Sequence, residues 1–92
     1  MMISLKANGL LTQYLGAANI PIELSDRAKL GDLIELIGQQ YISKLPGYIW
    51  NHAEGRFRGP VVFSINKKIT SDPSTQLKEG QIVEINLAIV GG

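Results

Sequence analysis

Residues 61–92 read VVFSINKKITSDPSTQLKEGQIVEINLAIVGG, and this stretch decides the fold class. Apolar side chains recur at every second position near its start and again near its end, which is the period of a strand with one buried face. Between these strands, Asn66-Lys67-Lys68 predicts a turn that leads into a short strand at Ile69-Thr70, and Asp72-Pro73-Ser74 predicts another turn. The last strand runs directly into Val90-Gly91-Gly92. The buried faces of the two long strands are predicted to comprise Val61, Phe63, Ile65, Val83, Ile85, Leu87 and Ile89.

One long helix is predicted upstream of this stretch. Its apolar residues have the three- and four-residue spacing of a single helix face, and Asp32 and Glu35 place negative charge in the first turns, where the helix dipole favours it. Gly38 lies inside the helix at a cost of about 1 kcal/mol relative to alanine, and Pro46-Gly47 is a firm stop. The apolar face consists of Leu30, Leu33, Ile34, Ile37 and Tyr41.

Two further strands are predicted near the amino terminus. Residues 10–16 between them favour one or two helical turns that end near Gly16. Pro21 lies within the second strand, and because proline has no amide hydrogen to donate, this strand requires an edge position or an outward-facing amide. The alternating apolar residues are Ile3, Leu5 and Ala7 in the first strand and Ile20, Ile22 and Leu24 in the second.

The order of these elements indicates an α+β fold. Two strands, a helix and then further strands predict a helix packed across a mixed sheet of four or five strands. Residues 1–92 are expected to form a single domain, since a domain usually has roughly 100 to 200 residues. Residues 43–60 are predicted to be the only extended irregular segment.

The composition excludes several classes of function. The net charge of +1 argues against a dedicated nucleic-acid binder. The absence of cysteine excludes disulfides, thiolate metal sites and cysteine nucleophiles. The sequence has a single histidine, His52, which argues against a multi-histidine metal site and against a histidine-based catalytic triad. The sequence also has no apolar run of membrane-spanning length and no signal-peptide pattern. We therefore expect a soluble, cytoplasmic, non-catalytic protein with no bound metal or cofactor and no nucleic-acid or membrane partner.

The candidate functional residues are the terminal glycines, Gly91 and Gly92. A frayed tail would explain their flexibility but not why the chain ends on them directly after a strong strand. A chain end without side chains is thin enough to enter a narrow channel and present its carboxylate to another protein's active site. A carboxylate is a poor acyl electrophile, so it must first be activated, most simply as an acyl-adenylate made from ATP.

Residues 61–92 resemble the C-terminal third of the MoaD/ThiS family of ubiquitin-like sulfur carriers. The family shows a strand that ends in Asn, a turn, a Leu-x-x-Gly before the final strand and a terminal Gly-Gly. Upstream, LTQYLG at 11–16 and LGDLIELI at 30–37 resemble the family's first short helix and its main helix. The resemblance implies a β-grasp (ubiquitin-like) fold with a flexible C-terminal Gly-Gly tail. The matching positions near the C-terminus are Leu77, Gly80, Val83 and Ile85.

The resemblance also implies a function for the tail. The Gly92 carboxylate would be adenylated by a partner related to ubiquitin-activating enzymes, converted to a thiocarboxylate and used to deliver sulfur to a downstream synthase. Gly91 and Val90 would thread the partner's active site, and no catalytic residue is asked of this chain. The length of residues 41–63 is closer to MoaD proteins and to MoaD-like carriers of cysteine synthesis than to thiamine-type carriers. Because molybdopterin carriers are the commonest members of that group, the expected role is the small subunit of molybdopterin synthase with a MoaE-like large subunit, with cysteine and thiamine pathways as alternatives.

Three features of the sequence depart from the family pattern, and none of them affects the carboxylate chemistry. Gln81 stands where the family usually has Asp, Lys67 replaces the usual Gly of an Asn-Gly turn, and Leu87-Ala88-Ile89 lacks the prolines often found before the glycines. The sequence leaves two further functions open. The same adenylate could lead to a ubiquitin-like modifier conjugated through Gly92 to target lysines, or the chain could be a plain β-grasp interaction module.

Other candidate residues have ordinary explanations. His52 is expected at the surface of a loop. Three aromatic side chains are expected to cover an edge of the core rather than stack on a ligand: Tyr48, Trp50 and Phe57. Exposed aliphatic residues of the outer sheet face, such as Val62 or Val90, are candidates for gripping a partner. A basic patch that docks an acidic surface is a further interpretation, formed by Arg56, Arg58, Lys67 and Lys68.

Overall fold

A five-stranded mixed sheet forms one layer of the molecule, and a 12-residue helix forms the other. The structure is a computed structural model that describes residues 1–41, 43–58, 61–70 and 72–87. The elements are β1 (Met2–Ala7), α1 (Leu11–Leu15), β2 (Asn19–Glu23), α2 (Leu30–Tyr41), β3 (Trp50–Asn51), β4 (Arg56–Phe57), β5 (Val61–Ile65), β6 (Lys68–Thr70) and β7 (Ile82–Leu87).

The order of the strands across the sheet is β2-β1-β7-β5-β6. β1 and β7 are parallel, whereas the β1–β2, β5–β7 and β5–β6 pairs are antiparallel. Parallel neighbouring strands need a long crossover connection. Here the connection between β1 and β7 contains both helices and all of the strands from β2 to β6. The predicted mixed sheet with one main helix is confirmed, and β2 lies at an edge, as Pro21 requires.

The core lies between α2 and the inward face of the sheet. Leu30, Leu33 and Ile37 on α2 are fully buried, whereas Ile34 and Tyr41 at the margins of the predicted helix face are half-buried. The carboxylate of Asp32 accepts a hydrogen bond from the Lys29 amide at 2.8 Å, which stabilises the first turn of α2. The strands contribute the buried residues Ile3, Leu5, Ala7, Ile22, Val61, Phe63, Ile65, Val83 and Ile85.

The Leu-x-x-Gly motif forms the approach to β7. Leu77 is buried, and Gly80 adopts a φ of 77°, a left-handed conformation that glycine accepts at no steric cost. The Gly80 amide donates to the Met2 carbonyl at 2.8 Å, so the motif joins the start of β1. Gln81, which replaces the family's usual Asp, accepts a hydrogen bond from the Lys78 amide through its side-chain oxygen at 3.0 Å. The turn therefore keeps a side-chain acceptor despite the substitution.

The prediction that residues 43–60 lack regular structure was wrong in part. β3 and β4 pair as a small antiparallel hairpin, in which Trp50 faces Phe57 and Asn51 faces Arg56. The Asn51 side-chain oxygen accepts from the amides of Ala53 and Glu54 at 3.0 and 3.1 Å, which closes the turn. Strands of two residues are too short for alternation to be recognised in the sequence.

Gly38 owes its place to packing. A methyl group at Gly38 would overlap the benzene part of the Trp50 indole, whose Cζ2 and Cη2 atoms occupy the space where that methyl would lie. Trp50 is only 4% exposed, so its ring cannot move out into solvent without loss of core burial. The glycine that looks unfavourable for the helix is therefore what allows the hairpin to dock on α2.

We expect Gly38→Ala to lower the free energy of unfolding by about 1–3 kcal/mol, the usual cost of overpacking a core. Helix propensity alone predicts the opposite sign, because alanine is the better helix former. Urea denaturation followed by circular dichroism measures the change, with Gln40→Ala at an exposed position of the same helix as the control. A Gly38→Ala protein as stable as the wild type would contradict the packing of Trp50 against this site.

The turn between β5 and β6 holds two residues in the left-handed region. Asn66 has a φ of 55° and Lys67 a φ of 65°, which are the values of a type I′ hairpin turn. Asparagine tolerates this conformation, but lysine has a Cβ atom that crowds the backbone. The missing glycine of the family's Asn-Gly turn is thus a site of local strain.

Lys67→Gly is predicted to raise the free energy of unfolding by about 1 kcal/mol, since glycine removes the Cβ that crowds the left-handed backbone. Lys68→Gly is the matched control, because Lys68 belongs to β6 and glycine weakens a strand. Thermal unfolding of the two variants should therefore shift in opposite directions. Equal shifts would show that the turn conformation does not determine the effect.

Candidate functional site at the end of strand β7

The residues predicted to carry the function, Val90, Gly91 and Gly92, lie outside the described residues. The structure does describe the end of β7, which precedes them in the chain. Leu87 is the last residue of β7 and pairs with Val61, the first residue of β5. Residues 88–92 follow, and five residues reach at most about 18 Å when fully extended. The described part of the candidate site therefore consists of the side chains around the end of β7.

The last two residues of β7 are held unequally by the neighbouring strands. On one side, Asn86 and Leu87 pair with Val62 and Val61 of β5. On the other side, the register between β1 and β7 ends at the pair of Ala7 and Ile85. We call Asn86 and Leu87 the tail root, because the tail begins immediately after them.

Asn8 occupies the position beside the tail root where β1 has ended. Its amide donates to the Ile85 carbonyl at 3.4 Å. Its side-chain nitrogen, Nδ2, donates to Oδ1 of Asn86 at 2.5 Å and to Oε2 of Glu84 at 3.3 Å. The sequence analysis predicted no site role for Asn8, and the only signal was the Asn8-Gly9 pair, which is typical of a turn.

The outer face of the sheet near the tail root is mainly polar. Glu84 is flanked by Lys6 on β1 and by Ser64 on β5, and Asn86 is flanked by Val62. Val62 is half-buried, so it offers a partner only part of an aliphatic surface. Val90, the other aliphatic residue expected on this face, lies outside the described residues.

The predicted basic patch does not form a single surface. Arg56 and Arg58 lie just before β5, whereas Lys67 and Lys68 lie just beyond its other end. The Nε atom of Arg56 is 2.8 Å from a carboxylate oxygen of Glu54, and Nε of Arg58 donates to the Gly47 carbonyl at 2.5 Å. The prediction of a single patch was wrong because the length of β5 separates the two arginines from the two lysines, although all four residues are near one another in the sequence.

A groove of about 770 Å³ adjoins the tail root on the opposite side of β5 from β7. Its lining comes from α2, from the β3–β4 hairpin and from β5 and β6, and it is largely apolar. Val61 and Val62, which pair with the tail root, are part of this lining. The charged residues of its rim are Glu35, Arg56 and Arg58. The sequence analysis missed the groove, because its walls come from remote segments.

The aromatic residues of the hairpin are structural, with one exception. The rings of Trp50 and Phe57 meet edge to face at 4.8 Å between centroids, and Phe57 contacts Phe63 in the same manner at 5.7 Å. These rings cover the core, as predicted. Tyr48 is separate and 56% exposed, and its hydroxyl lies 2.6 Å from that of Tyr14 on α1. The hydrogen bond with Tyr14 raises the pKa of Tyr48 above its usual value.

The described part of the chain offers little else that could carry chemistry. His52 is exposed in the turn of the β3–β4 hairpin, in agreement with the loop position expected for it. Within residues 1–41, 43–58, 61–70 and 72–87, no three side chains of His, Cys, Asp or Glu are close enough together to hold a metal ion. Neither helix in these ranges has the length and apolar character needed to cross a membrane.

Comparison with known proteins identifies the fold. The sequence matches no protein-family model and no curated protein. Among solved structures, SAMP1 from Haloferax volcanii superposes with a TM-score of 0.82 at 13% identity over 100% of both chains. A putative molybdopterin converting factor, subunit 1, from Pyrococcus furiosus has a TM-score of 0.75 at 22% identity, covering 97% of this chain and 99% of that one.

A third structure is a complex rather than a single chain. The protein–protein complex of subunits 1 and 2 of molybdopterin-converting factor from Helicobacter pylori matches with a TM-score of 0.65 and 20% identity, with full coverage of both chains. All three similarities span essentially the whole chain at low identity. They confirm the β-grasp, ubiquitin-like fold that the resemblance of residues 61–92 predicted.

Proposed function

We propose that this chain, which has the fold of small ubiquitin-like proteins, is a sulfur carrier that acts through the carboxylate of Gly92. A partner enzyme would transfer AMP from ATP to this carboxylate and release pyrophosphate. A hydrosulfide-equivalent sulfur would then attack the acyl carbon, so that a C–S bond forms, the C–O bond to AMP breaks and AMP leaves. The product is a thiocarboxylate. When its sulfur has bonded to an acceptor, water attacks the acyl carbon and the acyl C–S bond breaks, so that the sulfur stays on the acceptor and the carboxylate returns.

The observation that carries this proposal is the geometry of the tail root. β7 lies inside the sheet between β1 and β5 and is paired with β5 as far as Leu87, so the residues after it start from the rim of the sheet. Gly91 and Gly92 have no side chains that would obstruct a narrow channel. The chemistry asks nothing else of the chain, which agrees with a sequence that has no cysteine and one histidine.

The proposed partners follow from the same fold similarity. An enzyme related to ubiquitin-activating enzymes would adenylate Gly92 and consume the ATP. The Helicobacter pylori structure pairs a subunit 1 of similar fold with a subunit 2, which supports a MoaE-like large subunit as the sulfur-accepting partner here. Molybdopterin synthesis is therefore the favoured pathway, with cysteine and thiamine synthesis as the alternatives. The proposed location is the cytoplasm, and no catalytic group is assigned to this chain.

A second candidate function is that of a protein modifier. The structure with a TM-score of 0.82 is a small archaeal modifier protein, which favours this alternative. In that reaction a target lysine would attack the same adenylate or a thioester made from it, and an isopeptide bond to Gly92 would form. Carrier and modifier use the same residues, so only the product distinguishes them.

The proposal predicts that deletion of Gly91 and Gly92 abolishes adenylation while the fold remains intact, because the described core contains neither residue. Pyrophosphate exchange with the cognate activating enzyme measures the first effect and thermal unfolding the second. Lys44→Ala, an exposed change away from the tail root, is the control and should leave both unchanged. Full activity of the deleted chain in its cellular pathway would leave only the plain interaction module.

The product of the intact chain separates the two remaining functions. After co-expression with the activating enzyme and a sulfur source, intact-mass spectrometry should reveal a species that differs by one oxygen-to-sulfur exchange at the C-terminus. Gly-Gly remnants on lysines of other proteins, without that species, would identify a modifier instead.

A further inference from the structure

We propose that Asn8 is a positioning residue that clamps the tail root and so fixes where the tail begins. The clamp itself is a claim about the structure of this chain. Its consequence for adenylation rests on the proposed function. No group on Asn8 takes part in the chemistry, since the residue acts through Asn86 and Glu84.

The need for a clamp arises from the sheet register. β1 pairs with β7 from Ser4–Ile82 to Ala7–Ile85, whereas β5 continues to Asn86 and Leu87. The tail root is therefore paired with a strand on one side only. End residues held from one side open most easily, since local opening is least costly where few contacts have to be broken.

Asn8 supplies contacts on the side where the strand pairing has stopped. Its amide and its Nδ2 atom reach β7 at three successive positions: the Glu84 carboxylate, the Ile85 carbonyl and the Asn86 side chain. These three residues of β7 lie 76 to 78 positions away from Asn8 in the sequence, so the contacts are purely tertiary. Asn8 and both side-chain partners are partly buried, which shields the hydrogen bonds from water.

A local role does not account for the Asn8 side chain. Asparagine just before a helix usually caps it, but α1 begins after Leu10 and has no side-chain capping hydrogen bond. Both of the hydrogen bonds that the structure gives to Nδ2 go to β7. The side-chain amide of Asn8 therefore does not cap α1, and its hydrogen bonds join the chain before α1 to β7.

The consequence concerns how far along the chain Gly92 is from the last residue that the sheet holds. If Asn86 and Leu87 detached from the sheet, two more residues would separate Gly92 from the last paired residue of β7. An enzyme that binds the folded body must place the carboxylate at one position, and each additional free residue adds conformations that have to be excluded. The clamp therefore favours a reactive position of the carboxylate without contacting the enzyme.

The first test needs only the isolated protein. In Asn8→Ala, we expect amide exchange at the tail root to accelerate by about two- to tenfold, as for loss of one ordinary hydrogen bond, with lower NMR order parameters at Asn86 and Leu87. Exchange at Val83, in the centre of β7, should not change. Asn8→Asp, which keeps the shape but cannot donate and faces Glu84, should behave like Asn8→Ala or worse. Asn19→Ala, at an exposed position of β2, is the matched control.

A double-mutant cycle separates the clamp from a general loss of structure. If Asn8 acts through Asn86, then adding Asn86→Ala to Asn8→Ala should cause little further acceleration at Leu87. Additive effects of the two changes would overturn the clamp. Unchanged exchange and order parameters in Asn8→Ala would overturn it as well.

The second test measures adenylation by the cognate activating enzyme. Asn8→Ala is expected to lower kcat by about two- to tenfold with KM nearly unchanged, since the surface that docks the body is intact and only the carboxylate is misplaced. Asn8→Gln, which retains an amide donor, should recover most of the loss. A loosened tail root with wild-type kcat would overturn the positioning role. If the wild-type chain is not adenylated at all, the proposed function fails, and the exchange experiment alone still decides the clamp.

Discussion

The parallel pairing of β1 with β7 is the constraint on which the rest of the structure depends. It joins the first and last strands of the described chain in the interior of one sheet, with Leu5 and Val83 side by side and fully buried. Because parallel neighbours cannot be joined by a tight turn, the intervening chain has to cross the sheet, and α2 makes that crossing. The same pairing directs the end of β7 toward the end of β1. The tail root therefore emerges beside the Asn8 turn rather than at a remote edge.

The register of the sheet then determines the character of the functional end. Inward positions of β5 and β7 build the core, and outward positions carry Ser64, Glu84 and Asn86 on a mainly polar face. The sheet holds β7 firmly as far as Ile85 and from one side only beyond it. The proposed function places its demands on this junction, because the residues that would carry the chemistry follow directly after Leu87. The lining of the apolar groove includes Val61 and Val62, the two residues of β5 that pair with the tail root.

Much of the fold could be predicted because alternation and helical spacing are local properties. β1, β5, β7 and α2 all have enough residues for their period to be read, and β2 has the edge position that was one of the two arrangements predicted from Pro21. The β3–β4 hairpin was missed, since two-residue strands have no measurable period. Gly38 was interpreted as a cost to the helix, whereas its role is to accommodate Trp50 from a later segment. The prediction of a basic patch was wrong because β5 lies between its two pairs of side chains. Their closeness in the sequence did not reveal that separation.

The amino-acid sequence by itself determined which reactive residue types are present: it has no cysteine, one histidine and the pair Gly91-Gly92. It also determined which faces of the long strands and of α2 are buried, since periodicity is written along the chain. Only the tertiary structure decided which remote side chains meet. Asn8 and Asn86 are 78 positions apart, and nothing in either local pattern brings them together. Their contact exists because the parallel pairing of β1 and β7 places the two strand ends at the same rim of the sheet.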